Sequence, residues 1–153
     1  MKTDMARTQE ERLLAALAHG AIVTGYLAPV AGILIYVTQK EKSAYAAGQA
    51  LQAAVYQLAG ILVMIVAWVL WGFCYFLSFI PIMVAPDQYS DAPPPIFWVG
   101  MASMLCPMIL MGLWGLYGLY GALRAWSGAD FRYAFVGKLV ADRFGADAGE
   151  ADV

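Results

Sequence analysis

Three runs free of Asp, Glu, Lys and Arg dominate this chain: Leu13–Gln39, Ser43–Pro86 and Ala92–Leu123, of 27, 44 and 32 residues. A bilayer core takes about 20 apolar residues of helix, and a helix in a soluble core rarely runs half that far without a charge. The composition agrees: 62% of the residues are hydrophobic and 13% charged, against about 45–50% and about 25% in soluble domains. The class is all-α integral membrane. We expect a three-span helical bundle with amphipathic interfacial helices, or four spans if the longest run crosses twice.

Other bulk features exclude. A net charge of −2 leaves no basic field for nucleic acid. Cys74 and Cys106 both lie in apolar runs, which rules out a secreted disulfide framework. Asp4, Glu10 and Glu11 occupy what would be the basic region of a signal peptide, so the start of the chain is expected to be retained.

Residues 1–9 read as a tail and 10–143 as the membrane domain. Thr8-Gln9-Glu10-Glu11 fits a capping box that opens a helix into the first run. The first span is expected at about 20–37, with a kink at Pro29. As one straight helix the second run would measure about 66 Å, twice a bilayer core, so it must be divided. Tyr45, Gln49, Gln52 and Tyr56 fall on one helical face. We therefore expect an amphipathic helix over 44–58, at the membrane interface or against the bundle, and a second span over 59–83. Asp87–Pro95 is an acidic, proline-closed loop, and the third span is expected at 96–123. Ser127-Gly128 signals a turn, and Asp130 is placed to cap a short helix over 130–144. An acidic tail, 145–153, closes the sequence.

With three spans, Lys2, Arg7 and Arg12 share a side with the proline-rich loop. Lys40, Lys42, Arg124, Arg132, Lys138 and Arg143 lie on the other. Positive-inside counting makes the latter side cytoplasmic, with the C-terminus in and the protein in the cell (inner) membrane.

The most patterned segment places Gly112, Gly115, Gly118 and Gly121 at every third position, with Trp114, Tyr117 and Tyr120 before the last three. Such glycines cut an oblique groove that admits another helix, either of a partner or of the same chain. Met101, Met104, Met108 and Met111 share a face around Cys106-Pro107. Met104, Cys106 and Met108 are the soft-metal candidates, but no second thiolate or histidine supports them, so no metal or other cofactor is expected. His19 is the single histidine, better suited to an interhelical hydrogen bond than to haem or proton transfer. The second and third uncharged runs hold no acid or base, which argues against an enzyme or an ion-coupled carrier. Arg124, Asp130, Arg132 and Tyr133 gather just past the third span, where salt bridges to Lys40-Glu41-Lys42 or contact with anionic headgroups would fix how the spans pack, the alternative being a docking surface for a cytoplasmic partner.

The words Ala15-Ala-Leu-Ala-His19, Pro29, Ile33-Leu-Ile-Tyr36, Lys40-Glu-Lys-Ser43, Gln49-Ala-Leu51 and Gly128-Ala-Asp-Phe-Arg-Tyr133 resemble a widespread family of small bacterial membrane proteins of unknown function. That family is related to the channel-like component of the chloroplast inner-envelope protein-import translocon. The resemblance implies a helical membrane domain without assigned enzyme activity and a role in translocation or complex assembly. It marks His19, Pro29, Gln49, Gly128, Phe131, Arg132 and Tyr133. The function expected is a non-enzymatic accessory or translocation-like subunit working by helix contacts. Its partners would be membrane lipid and another membrane protein or a second copy. The alternative is a lipid or small-molecule binding or transport protein that uses the aromatic-walled groove.

Overall fold

The computed structural model describes residues 7–144, with side-chain surroundings given up to Val140. The tail 145–153 and most of the tail 1–9 lie outside the described residues. Those described form helices and connecting turns, with no strand among them. In order they are α1 (Gln9–Gly20), a 3-10 segment (Ala21–Leu27), α2 (Ala28–Gln39), α3 (Ala44–Leu77) and α4 (Ile80–Val84). A 3-10 turn (Pro86–Tyr89), α5 (Pro95–Ala102), α6 (Leu105–Trp126) and α7 (Val136–Phe144) follow. Three helical stretches are long and apolar enough to cross a membrane: Gln9–Gln39, Ala44–Val84 and Pro95–Trp126. The chain is an all-α, multi-pass membrane protein. It divides into two compact units, one of residues 1–60 with 115–153 and one of residues 61–114.

In the first unit, α1 opens on the expected capping box. Thr8 Oγ1 accepts from the Glu11 amide at 3.2 Å, and the Thr8 amide donates to Glu11 Oε2 at 2.8 Å. The stretch after it is not one kinked helix. Gly25 leaves helical geometry at φ 66°, ψ −122°, a conformation that glycine adopts without a Cβ penalty. Pro29 sits in the first turn of α2, where its missing N–H costs nothing. The chain doubles back there. Ser43, beyond the end of α2, donates to Glu11 Oε1 near the start of α1 at 2.7 Å.

The helices of this unit meet through small residues. Ala15, Ala18, Ala28, Ala46, Ala47, Ala50, Ala53, Ala54 and Ala125 are buried, which lets backbones approach where lipid supplies no hydrophobic drive. A Cβ on Gly32 would fall 3.0 Å from that of Ala54 and 3.1 Å from the Ala50 carbonyl oxygen, so α2 lies close on α3. The sequence suggested separate elements over 44–58 and 59–83, but α3 runs unbroken from Ala44 to Leu77. Its Gln49, Gln52, Tyr56 and Gln57 are buried, so the polar face turns into the bundle and away from the membrane interface.

The end of α6 closes as a Schellman motif. Gly128, at φ 82°, donates to the Ala125 carbonyl at 2.9 Å, and Ala129 donates to that of Arg124 at 3.1 Å. Side chains from elsewhere in the unit also donate to carbonyls at and just past this end. Arg12 Nε donates to Trp126 O at 2.8 Å, Tyr45 Oη to Ala125 O and Ala129 O at 3.1 Å each, and Arg7 Nη1 to Gly128 O. The Arg7 guanidinium also lies 4.0 Å above the Tyr45 ring.

In the second unit, aromatic rings take the place of the alanines. Trp71 stacks on Tyr75 at 5.2 Å, and Tyr75 and Phe79 both meet Phe97 of α5. Trp71 Nε1 donates to the Gly100 carbonyl at 3.2 Å, and a Cβ on Gly100 would fall 2.9 Å from Tyr75 Cδ2. The second span is interrupted by a break after Leu77, where Ser78 Oγ donates back to Tyr75 O at 2.6 Å, and α4 carries it on to Val84. A matching break separates α5 from α6, where Ser103 Oγ donates to Gly100 O at 2.7 Å.

Candidate functional site

His19 sits at the end of α1 with no solvent exposure, and both of its ring nitrogens are engaged. Its Nε2 lies 3.0 Å from Gln49 Oε1 on α3, and its Nδ1 lies 2.8 Å from Tyr133 Oη, past the end of α6. The rest of the network fixes the protons. Gln49 Nε2 donates to Asp130 Oδ1 and to Phe131 O, both at 3.0 Å, so its Oε1 faces His19. His19 Nε2 therefore carries the hydrogen, and Nδ1 accepts the Tyr133 hydroxyl. The imidazole is neutral and has no lone pair to spare. It is built as a latch between three parts of the chain, with both ring nitrogens engaged.

Rings enclose the latch. Phe131 meets His19 edge-on at 5.8 Å, and Tyr133 stacks on Tyr56 at 3.9 Å with the planes 3° apart. Tyr117 stands edge-on to Tyr56, Phe131 and Tyr133, and Tyr120 to Phe131. Burial, together with the neighbouring Tyr56 and Tyr117 hydroxyls, pushes the Tyr133 phenol well above the ordinary tyrosine range, which keeps it a donor. Gly121 makes room for the whole arrangement. A Cβ there would lie 2.8 Å from Phe131 Cε1, 3.0 Å from Tyr133 Oη and 3.2 Å from His19 Nδ1.

The family-resembling residues are thus brought together: His19, Gln49, Phe131 and Tyr133 form the latch, and Gly128 makes the turn that delivers the last two. Pro29 belongs to the first turn of α2, away from the latch. Arg132 pairs with Asp130 at 3.2 Å on an exposed edge, a contact worth little. Among the described residues this is the ion pair at that edge, and it does not involve Lys40, Glu41 or Lys42. Asp130 does not cap the last helix, which begins only at Val136, because its carboxylate is taken by Gln49 and Arg132.

The glycine series splits. Gly118 packs on Ile22, whose Cδ1 would stand 2.5 Å from an added Cβ, and Gly121 underlies the latch. Gly112 and Gly115 meet nothing within 4 Å. Tyr117 and Tyr120 wall a space that Phe131 and Tyr133 already fill, while Trp114 is half-buried. Met104, Cys106 and Met108 are exposed on α6 and its approach. No group of three or more His, Cys, Asp or Glu side chains suited to a metal occurs among the described residues.

The sequence places Tyr56 on the face with Tyr45, Gln49 and Gln52 and sets Gln57 among the same alanines, but assigns neither Tyr56 nor Gln57 a role. Gln57 Nε2 donates to Ala18 O at 2.9 Å, joining α3 to α1 one residue before the latch. The signal was there in the repeated glutamines of an otherwise alanine-rich segment. A polar face between two buried helices has the same sequence pattern as one lying on a membrane.

No curated protein and no solved structure matches this chain. A family profile does, over residues 10–140, which include every part of the latch; the expected relation to a protein-import channel is not shown by it. The chain belongs to the magnetosome magnetite crystal formation protein family, MamF/MmsF, a family of small bacterial membrane proteins.

Proposed function

We propose that this chain is a non-enzymatic component of the membrane in which magnetite crystals form, acting as an accessory subunit through helix contacts with other membrane proteins. It would sit in the inner membrane or a compartment derived from it, with residues 124–144 facing the cytoplasm. The family assignment supports the setting. The carrying observation for the mode of action is the latch. The single histidine is neutral and saturated by Gln49 and Tyr133, so the best candidate for chemistry is spent on structure. What remains for a partner is apolar surface, including the open face of α6 at Gly115 with exposed Leu116 beside it. A translocation-like role has only the short shared sequence words behind it.

The test is removal of the chain from a magnetite-forming bacterium, followed by restoration with the parent sequence or with Gly115→Leu. Crystal size and number, read by electron microscopy, should change on removal and return with the parent. Unchanged crystals on removal would sink the assignment of a role in mineral formation. Gly115→Leu should insert normally yet lose a co-purifying membrane protein in mild detergent. Retention of every partner would sink the contact mechanism alone.

A further inference from the structure

We propose that α1 and α2 form a half-membrane hairpin, entering from one face and returning to it, with the tip among the acyl chains of that leaflet. The ends meet at one edge. Glu11 bonds Ser43 at 2.7 Å, although they lie 32 positions apart across two largely apolar helices and a turn. A straight helix would hold those residues about 48 Å apart. Arg12 reaches Trp126 O at 2.8 Å, so the start of α1, the start of α3 and the end of α6 share that edge.

The arms are too short to cross. Each has 12 residues, about 18 Å of helix against about 30 Å of hydrocarbon. The tip between them is apolar and uncovered by protein: Val23 is 73% exposed, Tyr26 75% and Leu27 70%. Val30, Leu34 and Val37 continue that surface along α2. Thr24 Oγ1 turns back onto the Ala21 carbonyl at 2.8 Å, and the 3-10 bonds satisfy much of the remaining tip backbone, as hydrocarbon requires.

Charge identifies the leaflet. With a hairpin in place of a first crossing, Arg7, Arg12, Lys40, Lys42, Arg124, Arg132, Lys138 and Arg143 share one face. Lys2, five residues before Arg7, has at most about 18 Å of chain and cannot reach the other face. Positive-inside counting then sets this cation-bearing face against a far loop that carries Asp87 and Asp91 without a cation, which makes the shared face cytoplasmic.

The experiment uses the full chain with Cys74→Ala and Cys106→Ala, carrying one new cysteine at a time in sealed vesicles of known orientation. An impermeant maleimide should label Thr8→Cys and Ser127→Cys from the same face and Ser90→Cys from the opposite one. Tyr26→Cys should be labelled from neither face, yet fully once detergent opens the vesicle. Labelling of Thr8→Cys from the face that labels Ser90→Cys overturns the hairpin in favour of a crossing. Labelling of Tyr26→Cys from either face overturns its half-depth.

Discussion

At the scale of single residues, one hydroxyl decides whether the latch holds. Tyr133→Phe keeps the ring stacked on Tyr56 but strips the donor from His19 Nδ1, leaving a buried acceptor unpaired. A lost buried partner costs about 1–3 kcal/mol in soluble proteins, while interhelical bonds in membranes average nearer 0.6 kcal/mol. The network is shared by three segments, so a loss of about 1 kcal/mol is expected on unfolding in detergent. Gln49→Leu combined with Tyr133→Phe should be less than additive, since both act through the same imidazole. Strict additivity would show that the bonds do not form one unit. The phenol supplies a pH signature as well. Its folded pKa is raised, so its contribution is complete below the ordinary tyrosine value of about 10 and is lost as pH climbs beyond that. The stability gap between the parent and Tyr133→Phe should therefore be constant from pH 7 to 9 and narrow above 10. A gap that widens there would contradict the assigned protonation.

At the scale of the element, α6 shows how a regular motif is divided between tasks. Gly121 and Gly115 have the same sequence neighbourhood, an aromatic before and an apolar residue after, yet opposite surroundings. Gly121→Ala drives a methyl into Phe131, Tyr133 and His19 at once and should cost about 1–3 kcal/mol by overpacking. Gly115→Ala meets nothing and should be neutral, or stabilising by up to about 1 kcal/mol through helix propensity. Thermal unfolding of the two variants in one detergent checks this, and equal losses would mean that the groove is uniform. Glycine spacing alone could not have shown the division. What lies over each glycine comes from Ile22 and Phe131, which are distant in sequence. The capping box at Thr8 and the turn at Gly128 were legible, because both are satisfied within a few residues. The reversal at Gly25 was not, because a lone glycine in an apolar run is common and the contacts that show the chain folding back there, the Glu11–Ser43 bond among them, join residues distant in sequence.

At the scale of the whole molecule, the uncharged runs announced the membrane but left the number of crossings open, since composition does not distinguish a helix that passes through from one that turns round. The distribution of cations does distinguish them. In a three-crossing arrangement three of the nine Lys and Arg, at Lys2, Arg7 and Arg12, share a side with the Asp87–Asp91 loop. Asp87→Arg with Asp91→Arg would then bring the two faces to within one cation of each other, and the rule that sets orientation would be close to indifferent. With the first stretch folded as a hairpin, the same pair of substitutions sets two cations against nine, and the bias survives. The double variant is accordingly expected to insert in a single orientation. The check is protease cleavage in the 85–95 loop of sealed vesicles, where cleavage should stay confined to the face that cuts the parent chain. A mixed population, cut from both faces, would mean that the arginines near α1 already lie beside that loop. The N-terminal helices would then cross the membrane, and the latch at His19 would have to be reached from the opposite side.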